Sequence, residues 1–109
     1  MSAPRSEVGH GQLWWADLDG DKVRPVLVLT RSWIAPKLTR ILVAPITTRV
    51  RKIPTEVSLD ANEGLPKRCV ANLDNAQLLT IDRLLDRIGT VAPARWPEVC
   101  TAMARVMAC

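Results

Sequence analysis

The chain has no tyrosine, no phenylalanine and a single histidine, His10, among its 109 residues. A lone imidazole cannot serve as both acid and base, so a ribonuclease built on a histidine pair is excluded by count. A thiol protease needs a histidine partner, and Cys69 has none nearby in the sequence. The cysteines, Cys69, Cys100 and Cys109, are odd in number, widely spaced and without a Cys-x-x-Cys. A disulfide scaffold and a zinc site are therefore not expected, and a reducing compartment is. Cys69 lies in a strand-like run and Cys100 on an apolar helix face, where thiols act as small hydrophobes. No P-loop, GxGxxG or GxSxG occurs. No apolar run approaches the length of a membrane span. The polar segment Met1 to His10, carrying Glu7, does not read as a signal peptide. The expected location is the cytoplasm, with no membrane partner.

What is present fits one domain. An apolar share of 48% in this length can bury a core without staples. Residues 1–10 read as a loose tail and 11–109 as the domain. The four tryptophans are the only aromatics, so each is a core anchor or a surface contact. The net charge of +4 and pI near 9.4 suit a polyanionic partner. Arg49, Arg51 and Lys52 cluster, flanked by Lys37, Arg40, Lys67 and Arg68.

Apolar patterning predicts strands over Gln12–Ala16, Arg24–Thr30, Thr39–Ile46, Pro54–Leu59, Lys67–Leu73 and Asp86–Val91. Trp14 and Trp15 must point to opposite faces, one buried and one exposed. Gly20 among aspartates marks a turn. Pro25 cannot donate to a ladder, which places it at a strand start or edge. The segment Asp60–Pro66 reads as a loop; its Asp60 and Asn62 hint at a calcium site, but the later ligands are missing. Thr80–Leu84 predicts a short helical turn capped by Thr80. Trp96, Val99, Cys100, Met103, Val106 and Met107 recur at helical spacing, and Pro97 suits the first helical position. The expected fold is mainly β: a small, strongly bent antiparallel barrel with a C-terminal α-helix.

Few residues are left to carry chemistry. Arg24 stands at a strand start, Thr47 and Thr48 at a strand end, and Asp74 at another. Strand ends of a small barrel can converge. Cleavage of RNA by its own neighbouring 2′-hydroxyl requires a held phosphate, stabilised charge and proton movement, and in principle no metal or other cofactor. The planar fork of Arg24 matches phosphate oxygens, and a threonine hydroxyl can donate to one or orient the 2′-OH. Each residue also has a structural role open to it: Arg24 as a strand-edge cation, Thr47 as a turn former, Asp74 as a turn cap. The basic loop Arg49–Lys52 reads as a phosphate-binding face or as a solvated one.

Taken in order, several segments resemble the MazF/PemK family of toxin endoribonucleases. They are Gly11–Leu18 (GQLWWADL), Arg24–Leu29 (RPVLVL), Val43–Thr48 (VAPITT), Gly64–Asp74 (GLPKRCVANLD) and Leu85–Val91 (LDRIGTV), followed by the closing helix. The resemblance implies an SH3-like barrel of five to seven short strands, a symmetric homodimer, and metal-independent cleavage of single-stranded RNA. The products would be a cyclic phosphate and a 5′-hydroxyl. It implies Arg24 and Thr47 as the active-site pair, with Asp74, Thr48 and Asp17 as possible support. Arg49, Arg51, Lys52 and Asn72 would bind RNA. It also implies a cognate antitoxin whose flexible acidic C-terminal segment fills the RNA groove. Some relatives carry an Arg and an acidic residue where this chain has Asn72 and Asp74. The general base stays open among Asp17, Asp19 and Asp74, because Arg24 titrates too high for that role. Two other readings share the fold: a non-catalytic toxin that binds DNA gyrase, and an SH3-like module that binds RNA or peptide without cutting.

Overall fold

A computed structural model describes residues 7–18, 20 and 22–108. Its strands are β1 (Gln12–Asp17), β2 (Val23–Val28), β3 (Arg40–Thr47), β4 (Glu56–Leu59), β5 (Cys69–Asn72), β6 (Gln77–Thr80) and β7 (Leu84–Thr90), and its helix is α1 (Trp96–Ala104). All pairings are antiparallel, in the order β4-β5-β3-β2-β1-β7, with β6 added along the first half of β3. The result is the expected mainly-β, strongly curled barrel with a C-terminal helix.

Strand alternation gives the sheet two apolar faces. Leu13, Leu27, Ala44 and Ile46 pack with Val57, Leu59, Ala71 and Val99 on one side. Trp14, Val26, Val28, Ile41 and Val43 pack with Ile81 and Leu84 on the other. Trp14 is accordingly buried while Trp15 is half-exposed.

Several elements differ from the expectation. Val8 is 2% exposed, Gly9 N–H donates to Gln12 Oε1, and Gln12 Nε2 donates to the Glu7 carbonyl. Residues 7–10 thus belong to the packed body rather than to a loose tail; residues 1–6 and Cys109 lie outside the described residues. Strand β6 was not expected, because only Leu79 along it is buried and no alternation is visible. Thr80 precedes a 3-10 turn but makes no side-chain cap bond. Helix α1 begins at Trp96, directly after a 3-10 turn at Pro93–Arg95, so Pro97 falls in its first turn without opening it. Val106 and Met107 continue the apolar spacing beyond the helix and are exposed.

Three features of this topology shape one end of the barrel. The β2–β3 ladder runs from Val28↔Val43 to Val26↔Pro45 and stops there. Pro25 and Pro45 lack N–H donors, so the strands lose ladder bonds at that point. Continuing the register by two residues sets Arg24 opposite Thr47. Beyond Pro45, β3 changes partner, pairing Ile46↔Ala71 and Thr47↔Val70 with β5. Because β3 and β4 are both antiparallel to β5, they are parallel to each other. The segment 48–55 is therefore a crossover passing over β5, not a hairpin. Finally, the loop 60–66 rests on β7 without a ladder. Gly64 has φ 95°, and at Gly89 a Cβ would overlap the Glu63 carbonyl oxygen. Glu63 itself is buried, accepting from Asp60 N–H and Arg95 Nη1. This close approach brings Leu65, Pro66 and Lys67 to the same end as Arg24 and Thr47.

Candidate active site

At that end lies a cavity of about 230 Å³ lined by Trp15, Val23, Arg24 and Pro25 from β1 and β2. Ile46, Thr47 and Thr48 from β3, and Leu65, Pro66, Lys67 and Cys69 from the β4–β5 side, complete it. Larger hollows exist elsewhere, but this one joins the two residues expected to hold a phosphate. The described lining holds two cations, Arg24 and Lys67, and no carboxylate or imidazole. Among the described residues the Arg24 side chain makes no hydrogen bond or ion pair, and no described partner competes with a ligand for its guanidinium. Thr47 Oγ1 accepts from Arg49 N–H at 3.1 Å. That bond occupies a lone pair and leaves the hydroxyl proton to donate into the cavity. Thr48 is exposed at the rim.

The other expected site residues fall elsewhere. Asp17 Oδ1 accepts from Gly20 N–H at 2.6 Å and faces Arg83 Nη1 at 3.9 Å. It closes the turn and does not line the cavity. Asp19 lies outside the described residues. Asp74 and Asn72 were expected beside the catalytic pair and the RNA, but they serve Arg51. Arg51 Nη2 donates to Asp74 Oδ1 at 2.8 Å, to Asp74 Oδ2 at 3.0 Å and to Asn72 Oδ1 at 3.2 Å. Arg51 Nε donates to Glu56 Oε2 at 2.9 Å. Thr55 Oγ1 adds a bond to Asp74. Glu56, with its side chain only 4% exposed, also accepts from the backbone N–H groups of Arg51 and Lys52. The basic loop is therefore tied down by this network, and the Arg51 guanidinium is paired with two carboxylates through Nε and Nη2. The side chains of Arg49 and Lys52 remain exposed and without partners among the described residues.

Charge in this network follows from its geometry. The Arg51 hydrogen bond holds Asp74 below the usual carboxylate range. Burial pushes Glu56 up, but the Arg51 side chain and the two backbone donors outweigh it and leave Glu56 lowered. Asp74 and then Glu56 keep the guanidinium charged. A lowered folded pKa stabilises the fold above the ordinary values of 3.8 and 4.5, and that contribution is lost as pH falls through the lower folded values. The melting temperature of wild type should accordingly exceed that of Arg51→Gln by a constant margin above about pH 5. The margin should shrink steadily below pH 4; circular dichroism melts at several pH values measure it.

Sequence reasoning missed three contributors. Lys67 was seen only as part of a charge cluster, and Trp15 only as an aromatic with one exposed face. Glu56 was not singled out at all. Its partners, the side chain and N–H of Arg51 and the N–H of Lys52, lie four and five residues upstream, but composition does not show that the chain folds back there to bring them together. His10 needs no catalytic role: its Nδ1 accepts from Ser32 N–H at 3.2 Å and its ring leans on Trp96 at 5.0 Å. Among the described residues no group of three His, Cys, Asp or Glu side chains could hold a metal ion. No described helix is long and apolar enough to cross a membrane.

Comparison with known proteins identifies the family. The family model of the PemK-like, MazF-like toxins of type II toxin–antitoxin systems matches residues 10–107. The chain is 36% identical over 101 residues to a probable endoribonuclease MazF5 of Mycobacterium tuberculosis, covering 92% of this chain and 93% of the relative. It is 43% identical over 83 residues to endoribonuclease MazF3 of the same species, covering 76% and 81%. Among solved structures, M. tuberculosis toxin MazF-mt6 superposes with a TM-score of 0.82 at 40% identity, covering 87% of this chain and 94% of that one. A mycobacterial endoribonuclease in complex with its cognate antitoxin gives 0.79 at 30% identity, covering 95% and 94%. The chain belongs to the PemK-like, MazF-like toxin family of type II toxin–antitoxin systems.

Proposed function

We propose that this protein is the toxin of a toxin–antitoxin pair, a cytoplasmic endoribonuclease that cuts single-stranded RNA sequence-selectively in the Arg24–Thr47 cavity and so arrests translation. The observation that carries the reading is the pairing, in a cavity whose described lining holds no acid, of a guanidinium that no described residue engages with a half-committed hydroxyl. Relatives bearing the same fold are named endoribonucleases.

The chemistry suits this equipment. The 2′-oxygen attacks the adjacent phosphorus and the bond from phosphorus to the 5′-oxygen breaks. The 2′-proton leaves to solvent or a base, and the departing 5′-oxygen takes up a proton. The products are a 2′,3′-cyclic phosphate and a 5′-hydroxyl. Negative charge grows on the non-bridging oxygens, where the Arg24 fork and the Thr47 O–H donate. Lys67 adds a second positive charge at the rim, and Trp15 offers a flat face on which a base can stack. The attacking group belongs to the RNA, so the reaction needs no metal-activated water. Incubating the protein with RNA in excess EDTA and mapping the ends tests this. Cyclic-phosphate and 5′-hydroxyl ends support the reading; bound but intact RNA would instead make the protein a binding module.

Arg49 and Lys52 are the cations of the loop left free to meet phosphates, which position RNA without choosing bases. The double variant Arg49→Gln/Lys52→Gln should flatten the salt dependence of binding. On single-stranded RNA the log–log slope falls by about 0.7 for each phosphate that is no longer neutralised. Its cleavage sequence should match that of wild type. Binding titrations at several salt concentrations and a cleavage map are the measurements.

The partners follow from the surface. An apolar groove of about 420 Å³ runs between α1 and β2–β3, lined by Leu29, Leu42, Trp96, Cys100, Met103 and Met107. Leu78, opposite Leu42 in register, is 62% exposed, and Trp33 is 69% exposed. Exposed apolar surface of this extent marks a contact between chains, and a homodimer would cover it. Sedimentation at micromolar concentration should give twice the chain mass, and a monomer there would remove the claim. The cationic cavity end suits an antitoxin with a flexible acidic segment; one relative is solved in complex with its cognate antitoxin.

A further inference from the structure

The crossover 48–55 contributes Thr48 to the cavity wall and follows directly on Thr47, yet it has no ladder partner. Its last residues are held by backbone bonds, from Leu73 N–H to the Thr55 carbonyl and from Glu56 N–H to the Ile53 carbonyl; the rest is held by a polar network. Arg49 N–H is held by Thr47 Oγ1. Arg51 and Lys52 N–H are held by Glu56. Lys52 sits at φ 58°, a left-handed conformation that a non-glycine residue keeps only when its surroundings enforce it. The Arg51 side chain joins Glu56 at the start of β4 to Asp74 after β5. It therefore spans the strands that the crossover must pass. Two carboxylates more than offset its single charge, so the cluster presents no net cation to a polyanion.

We infer that Arg51 is a positioning residue for cleavage. Through Glu56 and Asp74 it fixes the crossover, and so aims the Thr47 hydroxyl and sets the Thr48 wall against the phosphate held by Arg24. The inference rests on the reading of the Arg24–Thr47 cavity as the cleavage site. It assigns Arg51 a task distinct from Arg49 and Lys52, which neighbour it in sequence. A bond made by a planar fork to two separate carboxylates cannot be reproduced by a single ammonium, and that difference makes the roles separable.

The test compares wild type with Arg51→Lys, Arg51→Gln and Thr55→Val, using a short RNA for steady-state kinetics, salt-dependent binding and thermal melting. A hydroxyl displaced by a fraction of an ångström costs rate rather than affinity. Both Arg51 variants should lose about tenfold in kcat, with KM within about twofold of wild type. The slope of binding against salt should be unchanged. A lysine that restores wild-type kcat would overturn the inference, as would a glutamine that raises KM and flattens the salt slope, because either result describes a direct phosphate contact. A role in stability alone would lower the melting temperature and leave kcat of the folded protein untouched, and that also overturns it. Should the Arg51 variants not fold, Thr55→Val decides: it removes one hydroxyl hydrogen bond to Asp74 and no charge. A kcat lowered about threefold supports the inference, and a wild-type kcat sinks it. RNA left intact by the wild-type protein would sink the cleavage reading and this inference together. Cleavage by wild type with unaffected variants sinks only the inference.

Discussion

Replacing Arg24 with alanine is expected to lower kcat for RNA cleavage by roughly 10²–10³-fold, the usual cost of deleting one preorganised donor to a developing oxyanion. The fold should not change, because the side chain is exposed and makes no bond or ion pair with another described residue. The melting temperature should stay within about 4 °C of wild type, since surface changes of this type are usually within about 0.5 kcal/mol. That combination separates a substrate-facing arginine from the structural ones. Arg95, by contrast, binds Glu63, Glu98 and the Ser58 carbonyl, and its loss would be felt in stability. A lysine at position 24 keeps the charge and loses the fork, so it should recover only part of the rate. Normal cleavage by a folded Arg24→Ala protein would remove Arg24 from the site and take the proposed phosphate cradle with it.

The second large effect is on the fold itself. Gly89→Ala is expected to cost about 3 kcal/mol or more, above the ordinary range for an added methyl in a packed core. The added Cβ meets the Glu63 carbonyl oxygen, which is backbone and cannot rotate away. The 60–66 loop would have to lift off β7, straining the buried Glu63 with its bonds to Asp60 and Arg95. At about 4–8 °C per kcal/mol for a domain near this size, the melting temperature should drop by about 12 °C or more. The same loop carries Leu65, Pro66 and Lys67 into the cavity wall, so residual folded protein should also cleave more slowly. Gly20, where a Cβ meets nothing within 4 Å, is the control for this steric cause: alanine there is strained by its φ of 83° but displaces no neighbour. A Gly89→Ala melt indistinguishable from wild type would mean that the loop does not sit against β7 as described.

The sequence and the structure divide the account unevenly. Strands β1 to β5 and β7 were legible because their apolar residues run or alternate with the strand period, and a pattern of period two survives any tertiary arrangement. Pro25 was legible as a strand start because a missing N–H is a local fact. The odd cysteines, the lone histidine and the missing nucleotide-binding motifs excluded whole classes of chemistry by count. Arg24 and Thr47 were identified by their place in recognisable segments, and the structure brings both to one cavity.

What the sequence could not decide was which charged residues meet. Arg51 and Asp74 are 23 positions apart and Arg51 and Asn72 are 21; only the parallel relation of β3 and β4, set by their shared pairing with β5, brings them together. Read along the chain, Arg49, Arg51 and Lys52 form one basic run. In three dimensions Arg51 is neutralised by two carboxylates while its neighbours stay free, because a guanidinium's availability depends on what the fold places opposite it. Asp17 and Asp74 were candidates for catalytic support through strand-end position and the family resemblance, and each is held by a partner that lies outside the cavity. The residue types and periodicities of this chain determined its strands, its helix and the kind of chemistry open to it. The tertiary structure alone decided which side chains are committed to one another and which are left for a ligand, because ion pairs and cavity walls are contacts between distant segments, made when the barrel closes.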